Sequence, residues 1–323
     1  MIEIKIDANN SGGRLNKYLS KYLTAAPSSF IYKMLRKKNI TLNETKADGS
    51  EILQTGDMIK LFLSDETIEK FRKVEAVNTK KTVPLAIIYE DDNVIFVNKP
   101  INKLSQPDGK DKDSLVYDIH GYLKTQHNAT FKPAIANRLD RNTTGIVLCG
   151  KNLKALQSIN KAIHDKHVDK YYVAMVHGQI KKSGVLKSYH KKDDIKNTVK
   201  LSNKEKDGIE IITEYAPIQI FSKYTYVRLK LVTGKSHQLR AHMASIGHPI
   251  VGDTKYLTSS SVKSPKKYSI NSQMLHAHTV QFNQCQEPLE YLQGEKIIAD
   301  LPKKFSLFLE SLQPTLLNIG DKR

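Results

Sequence analysis

Apolar residues near the start of the chain recur at the three- and four-residue spacing of a helix. They share one face while Lys and Arg fall elsewhere, and that face consists of Leu15, Tyr18, Leu19, Tyr22 and Leu23. This pattern predicts an amphipathic helix. A second helix is predicted after Pro27, with Ser28 or Ser29 as its N-cap. Its inward residues are Ile31, Met34 and Leu35, and its outward basic residues are Lys33, Arg36, Lys37 and Lys38.

Strand patterns surround these two helices. Residues 1–6 alternate between apolar and polar, and residues 39–43 and 57–63 form short runs bounded by turns. Residues 64–83 are polar and charged with few core-forming positions, which predicts a linker that is helical in part. We therefore expect a small domain over residues 1–64, a linker over 65–83 and a larger domain over 84–323.

The larger segment alternates between predicted strands and predicted helices. One buried strand ends at Pro100, which cannot continue a ladder, and a second covers residues 146–149. Further strands are expected over 169–176, 213–217, 226–232 and 274–282, and helices over 114–123, 152–167 and 302–312. Residues 181–206 and 258–268 are rich in Lys or Ser, which predicts an exposed hairpin or loop and a surface loop. These elements indicate an α+β protein.

Charge changes the picture more than the amino-acid composition does. The 323 residues are 39% hydrophobic, as in a globular protein. The chain has 51 Lys and Arg but only 33 Asp and Glu, which gives a net charge of +18. Such an excess indicates a polyanionic partner or a membrane surface. Because the sequence has no apolar run of about 18 residues and its start lacks the apolar core of a signal peptide, we expect nucleic acid as the partner and the cytoplasm as the location.

Metal and disulfide chemistry are not expected. Cys149 and Cys285 lie far apart in the sequence, without Cys-x-x-Cys spacing, and are interpreted as inert thiols. The histidine pairs His237 with His242 and His276 with His278 lack the spacing of a zinc-binding motif. The sequence therefore predicts no metal and no cofactor.

One acidic residue stands at the mouth of a predicted core strand. The segment Arg138-Leu-Asp140-Arg141-Asn-Thr-Thr-Gly-Ile leads directly into the apolar residues 146–149. An aspartate between two arginines is more often part of a structural ion pair than a catalyst. Local pattern alone leaves both interpretations open.

The same segment resembles the catalytic loop of the RluA-type pseudouridine synthases, which isomerise uridine in RNA. Further blocks that match the family are Asn98-Lys-Pro100, Lys170-Tyr-Tyr172, residues 233–242 and residues 246–253. Three positions depart from the family pattern. Asn137 replaces a His and cannot take a proton at neutral pH, while Lys235 replaces an Arg and Ser236 a Thr. Lys235 keeps the charge but loses the fork that binds a phosphate through two hydrogen bonds.

The resemblance implies roles for individual residues. Asp140 is expected to be the catalytic carboxylate, and Arg240 is expected to keep it ionised by holding both of its oxygens. Tyr172 is expected to provide a ring for the base and a hydroxyl that can shuttle a proton. The uridine must leave its stack to reach the pocket, and Arg138 is expected to fill the vacated space. Arg141 is expected to be structural or to bind a phosphate.

The first domain resembles the S4 RNA-binding domain, on the segment Ser29-Phe-Ile-Tyr-Lys-Met-Leu-Arg-Lys-Lys-Asn-Ile. Its basic helix is then an RNA-binding surface, although a basic cluster by itself is more often a solvated face. The whole chain is thus expected to be a monomeric pseudouridine synthase with an S4-like domain and a catalytic domain on a mixed, largely antiparallel sheet.

Several alternatives remain at this point. The closest resemblance is to synthases of bacterial large-subunit ribosomal RNA, and a transfer-RNA uridine is the alternative substrate. A protein that kept the fold but lost turnover, acting as an RNA chaperone or ribosome-assembly factor, is left open by Asn137 and Lys235. A hydrolase of nucleic acid is less favoured, because neither paired carboxylates nor metal ligands stand out.

Overall fold

The computed structural model describes residues 1–72, 84–108, 113–124, 130–193, 198–256 and 270–313. They form a four-stranded sheet and a larger, eleven-stranded sheet, each with its own hydrophobic core. The elements around the smaller sheet are β1 Ile2–Lys5, α1 Leu15–Tyr22, α2 Ser28–Arg36, β2 Ile40–Leu42, β3 Thr45–Lys46, β4 Met58–Leu61 and α3 Asp65–Phe71. No helix within these ranges is long and apolar enough to cross a bilayer.

The smaller sheet is antiparallel, in the order β1-β4-β2-β3. Helices α1 and α2 bury their apolar faces in its core as predicted, while Lys33, Arg36, Lys37 and Lys38 are exposed. The predicted serine cap of α2 is wrong. Pro27 occupies the N-cap position and no side chain caps the helix, so Ser28 and Ser29 lie in its first turn.

Helix α3 occupies the start of the segment predicted as a linker. The hydroxyl of Ser64 accepts a hydrogen bond from the Thr67 amide at 3.3 Å and caps the helix. The ring of Phe71 packs against that of Phe30, with centroids 4.6 Å apart, and its carbonyl accepts the Ala25 amide at 2.9 Å. This helical part of the segment thus packs on the smaller core, and residues 73–83 lie outside the described residues.

The larger sheet is mixed and largely antiparallel, as expected. Its order is β11-β10-β12-β13-β9-β14-β8-β6-β5, with β15 beside β14 and β7 beside β8. Among the described strands, β14 and β8 run parallel and the other neighbours are antiparallel. The elements are β5 Ile87–Glu90, β6 Val94–Lys99, α4 Leu115–Tyr122, β7 Ala134–Ile135, β8 Thr144–Gly150, α5 Leu153–His164, β9 Val168–His177, β10 Gly184–Asp193, β11 Thr198–Ser202, β12 Ile209–Ile220, β13 Tyr224–Leu231, α6 Gln238–Ser245, β14 Leu275–Phe282, β15 Lys296–Ile298 and α7 Lys303–Glu310.

The central strands are buried on both faces. In β6, Ile95 and Val97 point into one core with α4, while Val94 and Phe96 point into a second core with α5. The side chain of Asn152 caps α5 by accepting the Ala155 amide at 2.9 Å, and this helix was predicted. Residues 184–202 include the hairpin strands β10 and β11, and the predicted surface loop over 258–268 lies outside the described residues. Helix α6 was not predicted.

The parallel contact between β8 and β14 leaves space only for a glycine at position 145. Gly145 has a φ of +112°, and a Cβ placed on it would lie 2.2 Å from the carbonyl oxygen of Ala277. Ala277 also pairs with Tyr172 of β9. The close approach therefore brings β8, and the loop that precedes it, next to the centre of the sheet.

We expect Gly145→Ala to destabilise the protein by about 3 kcal/mol or more, because it combines a strained φ with overpacking against backbone. Gly247→Ala is the matched control, since Gly247 has a φ of +80° but nothing within 4 Å of its added Cβ. The control should cost about 1 kcal/mol. Urea unfolding of both variants measures the difference, and equal losses would show that the β8 to β14 approach is not tight.

Candidate active site

Asp140 lies in the loop between β7 and β8, at the entrance to the larger core. Its backbone carbonyl accepts the Thr143 amide at 3.0 Å, which closes a turn just before the strand. The hydroxyl of Ser105 bonds to both the amide and the carbonyl of Leu139, at 3.0 and 2.9 Å. The backbone next to Asp140 is therefore fixed from a neighbouring loop.

Lys99 fixes the other side of the same loop. Its fully buried ammonium donates to the carbonyls of Pro100, Lys103 and Arg141, at 3.0, 2.7 and 3.0 Å. Burial lowers the pKa of Lys99 to about 7, and the Asp140 carboxylate opposes that shift. Three carbonyl acceptors match the three N–H bonds of the charged amine. This lysine therefore holds the loop that carries Asp140 in place.

Arg240 of α6 reaches the catalytic candidate, but not in the predicted geometry. Its Nη1 donates one hydrogen bond to Oδ2 of Asp140 at 3.1 Å. Its Nε and Nη2 donate to the two oxygens of Asp253, at 2.6 and 2.9 Å. The expectation that Arg240 holds both oxygens of Asp140 is therefore wrong, because the two-bond face of the guanidinium is used by Asp253.

The two carboxylates differ in exposure. The Asp253 side chain is fully buried, whereas that of Asp140 is 28% exposed. Burial by itself disfavours the charged guanidinium, but the hydrogen bonds and negative charges of Asp253 and Asp140 outweigh it and raise the pKa of Arg240. The arrangement keeps a permanent positive charge beside Asp140 and leaves that carboxylate open on one side.

Asp253 ends the family block of residues 246–253, and the family motifs predicted no role for it. Asp253 also accepts the amides of Lys255 and Tyr256 at its Oδ1, at 2.9 and 3.3 Å. The signal that could have identified it is an aspartate directly after the apolar residues Pro249, Ile250 and Val251 and the glycine Gly252.

Tyr172 of β9 lies in the core beneath the site, 6% exposed. Register pairs it with Ala277, which in turn pairs with Gly145 at the start of β8. Burial, and then the charge of Asp140, raises the pKa of Tyr172 above its ordinary value. The hydroxyl is thus held protonated, which favours Tyr172 as a ring platform and disfavours it as a base.

Asn137 has a structural contact. Its side-chain amide donates to the Ile146 carbonyl at 3.1 Å and accepts the Leu148 amide at 2.8 Å. The residue therefore extends the ladder of β8, and its hydrogen bonds do not involve the Asp140 carboxylate.

The remaining candidates lie on the surface. Arg138, Arg141 and Lys235 are exposed, with Arg138 and Arg141 flanking Leu139 and Asp140, and Lys235 in the loop before α6. The guanidinium of Arg141 lies 4.0 Å from the Asp108 carboxylate.

Cys149 and Cys285 are buried, and burial raises the pKa of Cys149 to about 12. Within the described ranges, no group of three or more His, Cys, Asp or Glu is placed to hold a metal ion.

The site thus brings a partly exposed carboxylate, a buried arginine and a buried tyrosine together at one mixed sheet. The fold is similar to two solved human structures, RNA Pseudouridylate Synthase Domain Containing 4 and 1, with TM-scores of 0.54 and 0.53. They share 20% and 19% identity with this chain and cover 70% and 72% of it, and the match spans 92% and 96% of those chains.

Sequence comparison points to the same class. A family model described as RNA pseudouridylate synthase matches residues 93–245. The chain is 31% identical to Ribosomal large subunit pseudouridine synthase D of Blochmanniella floridana, over 85% of this chain and 88% of that protein. It is 29% identical to synthase C of Vibrio vulnificus, over 89% and 90% of the two chains. The chain belongs to the RNA pseudouridylate synthase family, in its RluA-type branch, and is an RNA pseudouridine synthase, an isomerase.

We expect Arg240→Met to destabilise the protein by about 3 to 5 kcal/mol, because it leaves the fully buried Asp253 without its partner. Adding Asp253→Asn should recover much of that stability, since no unpaired buried charge remains, but turnover should stay lost because Asp140 still lacks its cation. Chemical unfolding and single-turnover rates measure the two effects separately. Recovery of the rate in the double variant would show that Arg240 matters only to folding.

Proposed function

We propose that this enzyme converts specific uridines of large-subunit ribosomal RNA to pseudouridine, with Asp140 as the catalytic group. The observation that carries the proposal is the Asp140 carboxylate, held at one oxygen by a buried arginine and open at the other side. The substrate class rests on relatives such as Ribosomal large subunit pseudouridine synthase D of Borreliella burgdorferi, 29% identical over 91% of this chain and 89% of that protein.

The reaction breaks the bond from C1′ to N1 of uridine, turns the base and forms a bond from C1′ to C5. One ionised carboxylate suffices in each of three routes: addition to C6 of the base, attack on C1′, or removal of the C2′ proton. Burial would neutralise such a carboxylate unless a cation opposes it, and Arg240 supplies that cation. Because the atoms of the substrate are only rearranged, the proposed reaction needs no oxidant and no reductant.

A uridine in folded RNA reaches this pocket only if it leaves its stack, at a cost of a few kcal/mol. Arg138 is exposed two residues before Asp140, and its planar guanidinium is proposed to fill the vacated stack. Tyr172 supports the extruded base from below. Arg141 is exposed in the loop between β7 and β8, and Lys235 is exposed in the loop before α6. Both are proposed to contact phosphates.

Residues 1–64 are proposed to form an S4-like RNA-binding domain, joined through residues 65–83 to a catalytic domain over 84–323. The support is a small sheet with two helices and a row of exposed basic residues on the second helix. This surface is proposed to supply affinity and not chemistry, since the Asp140 site is built from the larger sheet. The protein is proposed to act as a monomer, in the cytoplasm with its ribosomal RNA substrate.

We expect Asp140→Asn to abolish isomerisation while RNA binding stays within a few-fold, because the change removes a charge but little volume. A tritium-release assay on uridine-labelled large-subunit RNA measures turnover, and filter binding measures affinity. Mapping of pseudouridines in cells with and without the protein identifies the substrate. Turnover by the Asn variant would overturn the role of Asp140. If the pseudouridines missing from cells without the protein all lie in transfer RNA, the assignment of ribosomal RNA as the substrate would be wrong.

Neutralising Lys33, Arg36, Lys37 and Lys38 should weaken RNA binding and flatten its salt dependence by about 0.7 to 0.9 log units per lost phosphate contact. Lys5→Gln with Lys46→Gln is the control, because both lysines are exposed on strands of the same small sheet. Binding titrations over a range of salt compare the slope lost per charge. An equal loss per charge in the control would show that the helix is no special RNA surface.

A further inference from the structure

A second side chain faces the Asp140 carboxylate beside Arg240. Nε2 of His237 lies 3.8 Å from Oδ2 of Asp140, the same oxygen that accepts the hydrogen bond of Arg240. The His237 side chain is 10% exposed. Both contacts fall on Oδ2, which leaves Oδ1 as the oxygen of Asp140 without a hydrogen bond in the described part of the chain.

The backbone of His237 is held in an unusual conformation. It has a φ of +55° and a ψ of 12°, in the left-handed region, at the N-cap position of α6. Residues with a Cβ rarely adopt this region, and His, Asn and Asp are the types that tolerate it best. The carbonyl of His237 accepts the Ala241 amide at 2.9 Å, so the start of the helix fixes the residue in place.

Tyr256 contacts the other nitrogen of the imidazole. Its hydroxyl oxygen lies 2.9 Å from Nδ1 of His237 and accepts the amide of Val199 at 2.9 Å. A phenol has one proton, and among the described residues Nδ1 is the acceptor within its reach. When Tyr256 donates to Nδ1, the neutral imidazole carries its own proton on Nε2, and that N–H faces Asp140.

We propose that His237 is a positioning residue of the active site, in the neutral form whose tautomer Tyr256 sets, with its Nε2–H directed at Oδ2 of Asp140. It engages that oxygen together with Arg240 and so directs Oδ1 toward the uridine. A neutral donor orients the carboxylate without adding a second full positive charge that would weaken its reactivity. The contact of 3.8 Å closes to hydrogen-bond length when RNA excludes water from the site. The inference rests on the proposed catalytic role of Asp140.

The charges around His237 agree with a neutral imidazole. Burial lowers its pKa first of all; Arg240 and Lys255 lower it further, and Asp140 and Asp253 oppose them. Burial raises the pKa of Tyr256 to about 12, so its hydroxyl keeps the proton that it donates.

Two amide substitutions separate the nitrogens of the imidazole. The amide of His237→Asn replaces Nδ1 and keeps the contact with Tyr256, whereas that of His237→Gln reaches the place of Nε2 and keeps the donor for Asp140. We expect the Asn variant to lose about 10- to 100-fold in single-turnover rate, as for one hydrogen bond to a charged group. The acid limb of its pH profile should move to higher pH, because the ionised Asp140 has lost a donor.

The Gln variant should restore most of the rate and the position of the acid limb. A purely structural role predicts the reverse order, since Asn tolerates the positive φ better than Gln. Unfolding curves recorded for both variants control for stability. A rate and acid limb of the Asn variant equal to those of the wild type, or a Gln variant slower than Asn at equal stability, would overturn the proposal.

The tautomer is measured independently of turnover. In protein labelled with ¹⁵N-histidine, the ring nitrogen shifts of His237 should report a proton on Nε2, and Tyr256→Phe should give a mixture of tautomers. A proton on Nδ1 in the wild type would overturn the proposal even if every variant were inactive. Asp140→Asn, assayed in parallel, tests the catalytic carboxylate itself, so a failure of that role is distinguished from a failure of the role of His237.

Discussion

The guanidinium of Arg240 joins a fully buried carboxylate, Asp253, to a partly open one, Asp140. Removing two charges from water is expensive unless both are paired and hydrogen-bonded, so Arg240 and Asp253 depend on each other for their place in the core. Asp253 accepts two hydrogen bonds from the Arg240 guanidinium. Asp140 is consequently held by a single bond from Arg240 to its Oδ2, and its Oδ1 accepts no hydrogen bond from the described residues.

The loop that carries Asp140 is held from behind by main-chain contacts. Lys99 gathers three carbonyls from the neighbouring segments, and Ser105 binds both polar groups of Leu139. These bonds fix the backbone on each side of the aspartate without touching its carboxylate. Arg240 therefore orients the Asp140 side chain, while Lys99 and Ser105 fix the position of the loop that carries it.

Much of this architecture was predictable from periodicity. The apolar faces of α1 and α2 follow helical spacing, β6 is a continuous apolar run, and the structure confirms them. Helix α6 escaped prediction because its buried positions include Gln238, Arg240 and His242, whose polar side chains hide the apolar pattern. Family motifs predicted that Asp140 and Arg240 lie together, which the structure shows. They did not predict that Arg240 gives two of its hydrogen bonds to Asp253, because that division depends on contacts between distant segments.

The parallel contact of β8 with β14 also has a consequence for the time at which the site forms. It joins Thr144 to His276, and the ion pair of Asp140 with Arg240 spans 100 residues of sequence. Pairings between such distant segments form slowly, because a long loop must close before they contribute. A ribosome that is still synthesising β14 therefore carries a chain with Asp140 already exposed to solvent but without its completed pocket. The pocket around Asp140 is therefore complete only after β14 has left the ribosome and entered the sheet.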